Sequence, residues 1–230
     1  PYNDTTLYRG RYPLLPLYKN NQIVERIRSL NDQATLTTRY TEEAVNFIRN
    51  HQKQPFFLYL PHSMPHVPLA VSDKFKGKSK QGLYGDVLME IDWSVGKIMQ
   101  TLEQLSLDKN TLVIFTSDNG PWMNYGNHAG NTGGLREGKG TSFEGGQKVP
   151  CIMRWPGKIP AGSVCTQLAA TLDILPTITH ITQATLPKQT IDGVDISALL
   201  FNPLSKPVRE NLYYYYRQNS LEAVRNQQFK

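Results

Sequence analysis

The sequence has only two cysteines and somewhat fewer charged residues than an average globular protein. Cys151 and Cys165 have neither metal-site spacing nor a redox motif. They are expected to be buried thiols, with a disulfide in an oxidising compartment as the alternative. Charged residues make up 19% of the 230 residues, and no apolar run approaches the length of a membrane span. The composition therefore predicts a globular protein without a membrane span.

The net charge is +6, and part of this charge lies in one Gly- and Ser-containing segment. Four lysines alternate there with other residues: Lys74, Lys76, Lys78 and Lys80. We interpret this segment as a solvated loop and predict no nucleic-acid partner. The alternative is a positively charged lip that attracts acidic substrates.

Hydrophobic patterning predicts helices and strands in mixed order. Apolar residues at three- and four-residue intervals predict one long amphipathic helix over residues 84–105. A second helix is expected to begin with Thr41 as its N-cap, and a third to run from Asp173 to about Thr182. Strands are predicted at residues 22–27, 56–60, 112–115, 151–155, 212–216 and 221–225. The order strand, long helix, strand predicts a right-handed crossover and a parallel sheet.

An adjacent carboxylate and carboxamide follow the strand predicted at residues 112–115. This apolar, β-branched-rich run is expected to be covered on both faces, and Asp118, Asn119 and Gly120 come after it. Ligands gather at such strand ends in α/β sheets. Paired oxygen donors suit Ca²⁺ or Mg²⁺ and do not suit zinc. The alternative is that Asp-Asn-Gly only makes a turn.

A glycine-rich loop places one lysine where a ligand can approach the backbone. Lys139 lies between Gly138 and Gly140, so its ammonium can serve an oxyanion at short range. The alternative is an exposed lysine in a flexible loop. Glu144 is expected to brace this loop. Arg136 is expected either to pair with that carboxylate or to border the pocket.

Histidines follow the strand predicted at residues 56–60. Three prolines between residues 61 and 68 turn the chain abruptly, so His62 and His66 are expected at the carboxyl end of this strand. An imidazole can donate to an anion and assist a leaving group, because its ordinary pKa is near 6.5. His62 and His128 are candidates for a substrate pocket, with structural roles as the alternative for each.

Seven motifs occur in an order that resembles one known family. They are Pro1-Tyr2-Asn3-Asp4, residues 55–59, residues 65–68, residues 117–120, residues 134–139, residues 143–146 and residues 223–225. In this order they resemble the sulfatase family, in its arylsulfatase A-like branch. The resemblance implies an α/β fold with part of a mostly parallel, alkaline phosphatase-like sheet flanked by helices. Residues 1–205 would belong to the catalytic domain, and residues 206–230 would begin a small antiparallel carboxy-terminal sheet.

The resemblance also implies the chemistry of the site. Asp118 and Asn119 would be ligands of Ca²⁺, although two side chains do not complete its shell of about six to eight oxygens. Lys139 and His66 would be catalytic, and the substrate would be an aryl or carbohydrate sulfate ester. His62, His128 and Arg136 are predicted to contact that substrate. By the same resemblance the protein would be periplasmic, secreted or lysosomal.

One element of the family is missing from the sequence. The nucleophile of sulfatases is a formylglycine made from the first residue of a Cys- or Ser-x-Pro-Ser-Arg segment, and no such segment is present. We therefore expect the formylglycine upstream of residue 1 and expect this chain alone to be inactive. Absent neighbouring strands would leave a sheet edge that favours a homo-oligomer.

Two alternative functions remain open at this point. One is a phosphate or phosphonate hydrolase of the alkaline phosphatase superfamily, against which Asn119 argues. The other is a non-catalytic chain that binds sulfated glycans through the four-lysine segment.

Overall fold

A computed structural model describes residues 14–230 of the chain. Two compact units are formed, residues 14–108 with Trp122–Asn131, and Lys109–Pro121 with Thr132–Lys230. The motif at Pro1-Tyr2-Asn3-Asp4 lies outside the described residues. No helix among residues 14–230 has the length and apolarity needed to cross a membrane.

The first unit opens with a β-hairpin. Strand β1, Leu15–Lys19, pairs antiparallel with β2, Gln22–Ile27, around Asn20, whose φ is +55°. The strand predicted at residues 22–27 is confirmed, and its partner was not predicted. A short helix α1, Leu30–Gln33, follows and is capped by the hydroxyl of Ser29.

Two helices pack against each other in the first unit. They are α2, Leu36–His51, and α3, Gly82–Gln104. The long helix predicted at residues 84–105 is confirmed. The prediction that Thr41 is an N-cap is wrong, because α2 begins at Leu36 and Thr41 is buried within it. Its hydroxyl oxygen lies 2.7 Å from the carbonyl oxygen of Thr37 and 2.6 Å from the Ser94 hydroxyl of α3.

The core of the first unit joins a loop to helix α3. Apolar residues of the loop and of α3 form one buried cluster: Met64, Val67, Leu69, Val71, Phe75, Val87 and Ile91. Residues 55–63 contain no strand, so the prediction at residues 56–60 is wrong. Phe57 and Tyr59 are 68% and 76% exposed. The prediction rested on an apolar, aromatic run, but no described strand pairs with this segment.

The four-lysine loop is anchored by a buried carboxylate. Asp86 of α3 accepts hydrogen bonds of 2.7 Å from the amides of Gly77 and Ser79. All four lysines are exposed, as a solvated loop requires. Phe75, between two of them, is buried and packs near Trp93 at a ring distance of 5.7 Å, so it is not available for stacking on a base.

The second unit contains two antiparallel strand pairs. Strand β3, Val113–Thr116, pairs with β4, Cys151–Arg154, and β5, Leu212–Tyr216, forms a hairpin with β6, Ser220–Arg225. All four strands were predicted. The expected burial of β3 on both faces is wrong, because Phe115 is 40% exposed and its partner Ile152 is 64% exposed.

Three helices complete the second unit: α4, Glu144–Gln147, α5, Ile174–Thr182, and α6, Ser197–Phe201. The helix predicted from Asp173 to Thr182 is confirmed, and Asp173 lies at its start with no solvent exposure. Its carboxylate accepts from the amides of Ala170 and Val194 at 2.8 and 2.9 Å and pairs with Arg209. This pair ties the segment that leads into the β5–β6 hairpin to the start of α5.

Helices and strands are interspersed along the described chain, in keeping with the predicted α/β class. The three sheets of residues 14–230 are all antiparallel pairs, so the predicted parallel pairing is not found there. The parallel sheet depended on a strand at residues 56–60, which does not form. The two cysteines are free and exposed, so the expectation of buried thiols is also wrong. Cys151 lies on β4, whose side chains are largely open to solvent.

Candidate active site

The predicted site residues are divided between the two units. Asp118, Asn119, Arg136 and Lys139 belong to the second unit. The three histidines, His62, His66 and His128, belong to the first unit. Each group is built by its own local contacts.

The Asp118-Asn119 turn follows directly after β3. Asp118 is exposed and Asn119 is half-buried. The side-chain nitrogen of Asn119 donates to the carbonyl of Gly120 at 3.3 Å, and the Ser117 hydroxyl donates to the carbonyl of Asn119 at 3.2 Å. Because the amide nitrogen is used within the turn, the side-chain oxygen is the atom of Asn119 left to serve a ligand. The local geometry therefore favours two oxygen donors.

Close backbone contacts join this turn to the glycine-rich loop. The amide of Gly120 donates to the carbonyl of Gly146 at 2.9 Å, and the amide of Lys139 donates to the carbonyl of Pro121 at 2.8 Å. A Cβ atom on Gly120 would lie 1.8 Å from the carbonyl oxygen of Gly145. Only glycine permits this approach. The Asp118-Asn119 turn and the glycine-rich loop that carries Lys139, called the lysine loop below, are thus held side by side.

Glycines also allow the lysine loop to fold onto itself. The amide of Gly145 donates to the carbonyl of Arg136 at 2.8 Å, and a Cβ atom there would lie 2.1 Å from the carbonyl oxygen of Glu137. Gly140 has a φ of +90°, a conformation that other residues rarely adopt. Lys139 is half-buried in this loop. Its position is therefore fixed by backbone packing on both sides.

Glu144 and Arg136 do not pair with each other. The guanidinium of Arg136 lies 4.0 Å from the ring centre of Phe143, and Arg136 is exposed. Glu144 pairs with Arg225 at 2.5 Å and with Lys230 at 3.1 Å. Partial burial by itself would raise the pKa of Glu144, but Lys230 and Arg225 outweigh it and hold that pKa below its ordinary value of 4.5. The expected pairing of Arg136 with Glu144 is thus not found, and a role of Arg136 in bordering a pocket stays a prediction.

His66 has one ring nitrogen engaged by its own loop. Its Nδ1 lies 2.7 Å from the carbonyl oxygen of Val67. A carbonyl only accepts, so Nδ1 carries the hydrogen and Nε2 is the nitrogen that can exchange a proton with a ligand. The ring meets Trp122 edge to face at 6.0 Å and is half-buried. The loop therefore fixes the orientation of the His66 ring, and its predicted catalytic role stays a prediction.

His62 makes contact with the two packed helices. Its Nε2 lies 3.1 Å from the hydroxyl of Ser94, while its buried Nδ1 has no hydrogen-bond partner among residues 14–230. Burial lowers the pKa of His62 below its ordinary value of 6.5, although Glu90 opposes this shift. These contacts favour a structural role, and contact with substrate stays a prediction.

His128 and the cation site have less local definition. His128 ends the short 3₁₀ segment Met123–His128 and is half-buried. Within residues 14–230, no group of three or more His, Cys, Asp or Glu side chains is arranged to hold a metal ion. Asp118 and Asn119 match the chemistry of a hard cation as two oxygen donors, and further ligands would have to come from elsewhere.

Comparison with a solved structure identifies the fold of the chain. The chain is similar to the PsFucS1 sulfatase from Pseudoalteromonas sp., with a TM-score of 0.85 and 31% identity over 89% of this chain and 42% of that chain. This similarity confirms the α/β fold class and identifies the architecture as that of a sulfatase.

Sequence comparison gives the family. The Sulfatase family model matches residues 3–184. The chain is 40% identical to N-acetylgalactosamine-6-sulfatase of Mus musculus over 228 residues, and 46% identical to arylsulfatase A of Bos taurus over 165 residues. These matches cover 95% and 72% of this chain, but only 43% and 32% of the two relatives. The chain belongs to the sulfatase family and spans less than half the length of the curated relatives it matches.

Sequence reasoning missed the partners that hold the site in place. Arg225 lies in the last of the seven recognised motifs, but the motif gave it no role. Its contact with Glu144 joins residues 81 positions apart, and neither periodicity nor spacing predicts such a pairing. Ser94 gave a weaker signal, as a small polar residue on the buried face of a long amphipathic helix.

Proposed function

We propose that the protein containing this chain hydrolyses sulfate esters of aryl or carbohydrate type. The observation that carries the proposal is the junction between the Asp118-Asn119 turn and the Lys139 loop, made by the two backbone hydrogen bonds at Gly120 and Lys139. It puts a pair of oxygen donors and an ammonium on adjacent backbone segments. A sulfate ester requires both kinds of group, since its oxygens gain charge as the S–O bond breaks.

Asp118 and Asn119 are the proposed ligands of Ca²⁺. The exposed carboxylate and the side-chain oxygen left over at Asn119 fit a hard cation. When bound, the cation would neutralise charge on the sulfuryl oxygens. The role of this chain is to hold the two oxygens on a turn that the packing of Gly120 against Gly145 keeps rigid.

Lys139 is proposed to bind a sulfuryl oxygen directly. An ammonium is a compact point charge with three donors, which suits a tetrahedral anion. Its half-buried position partly protects it from solvent screening. No large movement of the loop is needed to place Lys139, because the hydrogen bond from its amide to the carbonyl of Pro121 already holds the loop beside the turn.

His66 is proposed to donate a proton to the departing alcohol oxygen. Nδ1–H is committed to the carbonyl of Val67, so the transferred proton would be the one on Nε2 of the imidazolium. The histidine returns to its neutral form as the alcohol leaves. His62, His128 and Arg136 are proposed to contact the alcohol portion of the substrate.

The attacking group is proposed to be a formylglycine outside the printed sequence, which holds no Cys- or Ser-x-Pro-Ser-Arg segment. The 230-residue chain on its own is accordingly expected to release no sulfate. The proposal also includes a periplasmic, secreted or lysosomal location for the protein and its assembly into a homo-oligomer.

The test uses the longest natural protein that contains this chain, assayed with matched aryl sulfate, aryl phosphate and aryl phosphonate esters. Lys139→Ala is expected to lower sulfate release by about 100- to 1,000-fold. Lys148→Ala, which removes an exposed lysine a few residues away, is the matched control and should retain activity. Preference for a phosphorus ester would contradict the proposal.

Binding without catalysis is distinguished by heparin retention. If Lys139→Ala and Asp118→Ala leave retention unchanged while neutralising Lys74, Lys76, Lys78 and Lys80 removes it, and no ester is cleaved, the chain is a glycan-binding module.

A further inference from the structure

Both carboxylate oxygens of Glu144 contact basic side chains, those of Arg225 and Lys230. One lies 2.5 Å from a guanidinium nitrogen of Arg225 on β6, and the other lies 3.1 Å from the ammonium of Lys230. The ammonium of Lys230 also lies 3.9 Å from the ring centre of Tyr214. Glu144 is the first residue of α4, which directly follows the lysine loop. The loop and the β5–β6 hairpin are therefore joined by a shared ion cluster.

A second contact joins the same two segments. The hydroxyl of Ser142 donates to the carboxylate of Glu222 at 3.0 Å, and Glu222 also pairs with Arg217 at 3.1 Å. Glu222 and Arg225 both lie on β6. Because Ser142 of the loop and Glu144 of α4 are tied to two residues of one strand, the contacts restrict the orientation of the loop as well as its position.

Partial burial gives these contacts more weight than a surface ion pair has. The side chains of Glu144 and Arg225 are 25% and 26% exposed, and that of Lys230 is 16% exposed. Arg217, in contrast, is 77% exposed and pairs with Glu222 rather than with Glu144. Exposed pairs contribute little to stability, whereas partly buried ones are less screened by solvent and salt.

Displacement of α4 would be transmitted to the catalytic lysine. A Cβ atom on Gly146 would lie 2.5 Å from the carbonyl oxygen of Gly138, so α4 and the residue before Lys139 are in direct backbone contact. Glycines also leave this loop with high conformational freedom unless other contacts restrict it. Backbone hydrogen bonds supply part of the restriction, and the Glu144 cluster supplies a contact from outside the loop.

We propose that Glu144 is a positioning residue for Lys139, and that it acts by binding α4 to Arg225 of the β5–β6 hairpin. Glu144 itself touches no substrate. Its carboxylate fixes α4, α4 fixes Gly138, and Gly138 fixes the adjacent lysine. The catalytic consequence rests on the proposed sulfate ester hydrolysis, while the mechanical part rests only on the contacts.

The experiment compares Arg225→Met with Arg217→Met in the longest natural protein that contains this chain. Both changes remove one arginine from the hairpin, but only the first breaks the contact with Glu144. Arg225→Met is expected to lower kcat for an aryl sulfate by about tenfold or more with little change in KM, because small displacements of a catalytic group are costly. Amide hydrogen exchange of residues 136–147 should become faster. Arg217→Met should behave as the wild type.

Conservative variants guard against general loss of structure. Arg225→Lys keeps a cation near Glu144 and should recover most of kcat, and Glu144→Gln should reproduce the defect at nearly constant side-chain volume. Unchanged kcat and unchanged loop exchange in both Arg225→Met and Glu144→Gln would overturn the proposal. If the wild type cleaves no sulfate ester, the proposed function fails, and loop exchange alone decides the positioning role.

Discussion

The backbone amide of Lys139 donates a 2.8 Å hydrogen bond to the carbonyl of Pro121, the residue that follows the Asp118-Asn119-Gly120 turn. This contact connects the segment that carries the proposed oxygen ligands of the cation to the segment that carries the proposed sulfate-binding ammonium. Since it uses only main-chain atoms, it does not depend on the side-chain rotamer of either residue. The arrangement explains why glycines are placed where the two segments meet.

The first prediction concerns Gly145→Ala. The new methyl group would lie 2.1 Å from the carbonyl oxygen of Glu137 and 2.6 Å from that of Arg136, and neither backbone atom can move alone. We expect the free energy of unfolding of the second unit to fall by about 1–3 kcal/mol or more. Urea denaturation followed by circular dichroism measures the change.

The matched control is Gly96→Ala. Gly96 lies in α3 with no atom within 4 Å of the added methyl group. Helix propensity predicts a stabilisation of up to about 1 kcal/mol at this position. Equal effects of the two substitutions would show that the close approach at Gly145 is not present.

The second prediction concerns the buried pair of Asp173 and Arg209. The side chain of Asp173 is inaccessible to solvent and that of Arg209 is 10% exposed. Arg209→Met would leave the carboxylate buried with two amide donors and no cation, which typically costs about 3–5 kcal/mol. Denaturant unfolding should show this loss, while Arg217→Met, which removes an arginine side chain that is 77% exposed, should change stability by less than about 1 kcal/mol. A small effect of Arg209→Met would mean that water reaches Asp173.

The third prediction is a pH dependence of stability that arises from His62. Burial lowers the pKa of its imidazole in the folded state below the ordinary value of 6.5. The unfolded state therefore binds the proton more readily, and stability rises with pH up to about 6.5 and is lost as the pH falls below it. Thermal unfolding between pH 5 and pH 8 should show a weaker slope in His62→Gln than in the wild type. Identical slopes would assign the dependence to other groups.

The sequence predicted those elements whose residues carry their own local signal. Helix α3 has long apolar periodicity, and the β5–β6 hairpin has two short runs around a polar turn. The turn at Asp118-Asn119 and the glycine-rich loop at Lys139 were also predicted from motifs that resemble the sulfatase family, and their role in a site stays a prediction. In these cases the information lies within a single segment.

The errors have one physical cause, which is that pairing and burial depend on distant residues. The segment at residues 56–60 is an apolar, aromatic run typical of a strand, but strand formation requires a neighbour that the described residues do not supply. Thr41 resembled an N-cap beside two glutamates, yet its hydroxyl meets Ser94 of another helix. Cys151 lies in an apolar run but remains exposed on β4. The contact of Glu144 with Arg225 was missed for the same reason, because it joins residues that are distant in the sequence.

The fourth prediction concerns activity of the isolated 230-residue chain. It lacks the segment from which sulfatases form their nucleophile, so no sulfate should be released from an aryl sulfate at any Ca²⁺ concentration. The assay is a long incubation with folded chain, with sulfate measured by ion chromatography. Sustained turnover would mean that a different group attacks the ester.

The most direct measurement of the central claim is the Ca²⁺ dependence of sulfate release by the longest natural protein that contains this chain, in wild-type and Asp118→Ala forms. The wild type should lose activity in chelator and recover it with added Ca²⁺. Asp118→Ala should remain at least about 100-fold less active at every Ca²⁺ concentration, while Asp73→Ala, at an exposed carboxylate, should match the wild type. Activity of Asp118→Ala equal to that of the wild type would contradict the account.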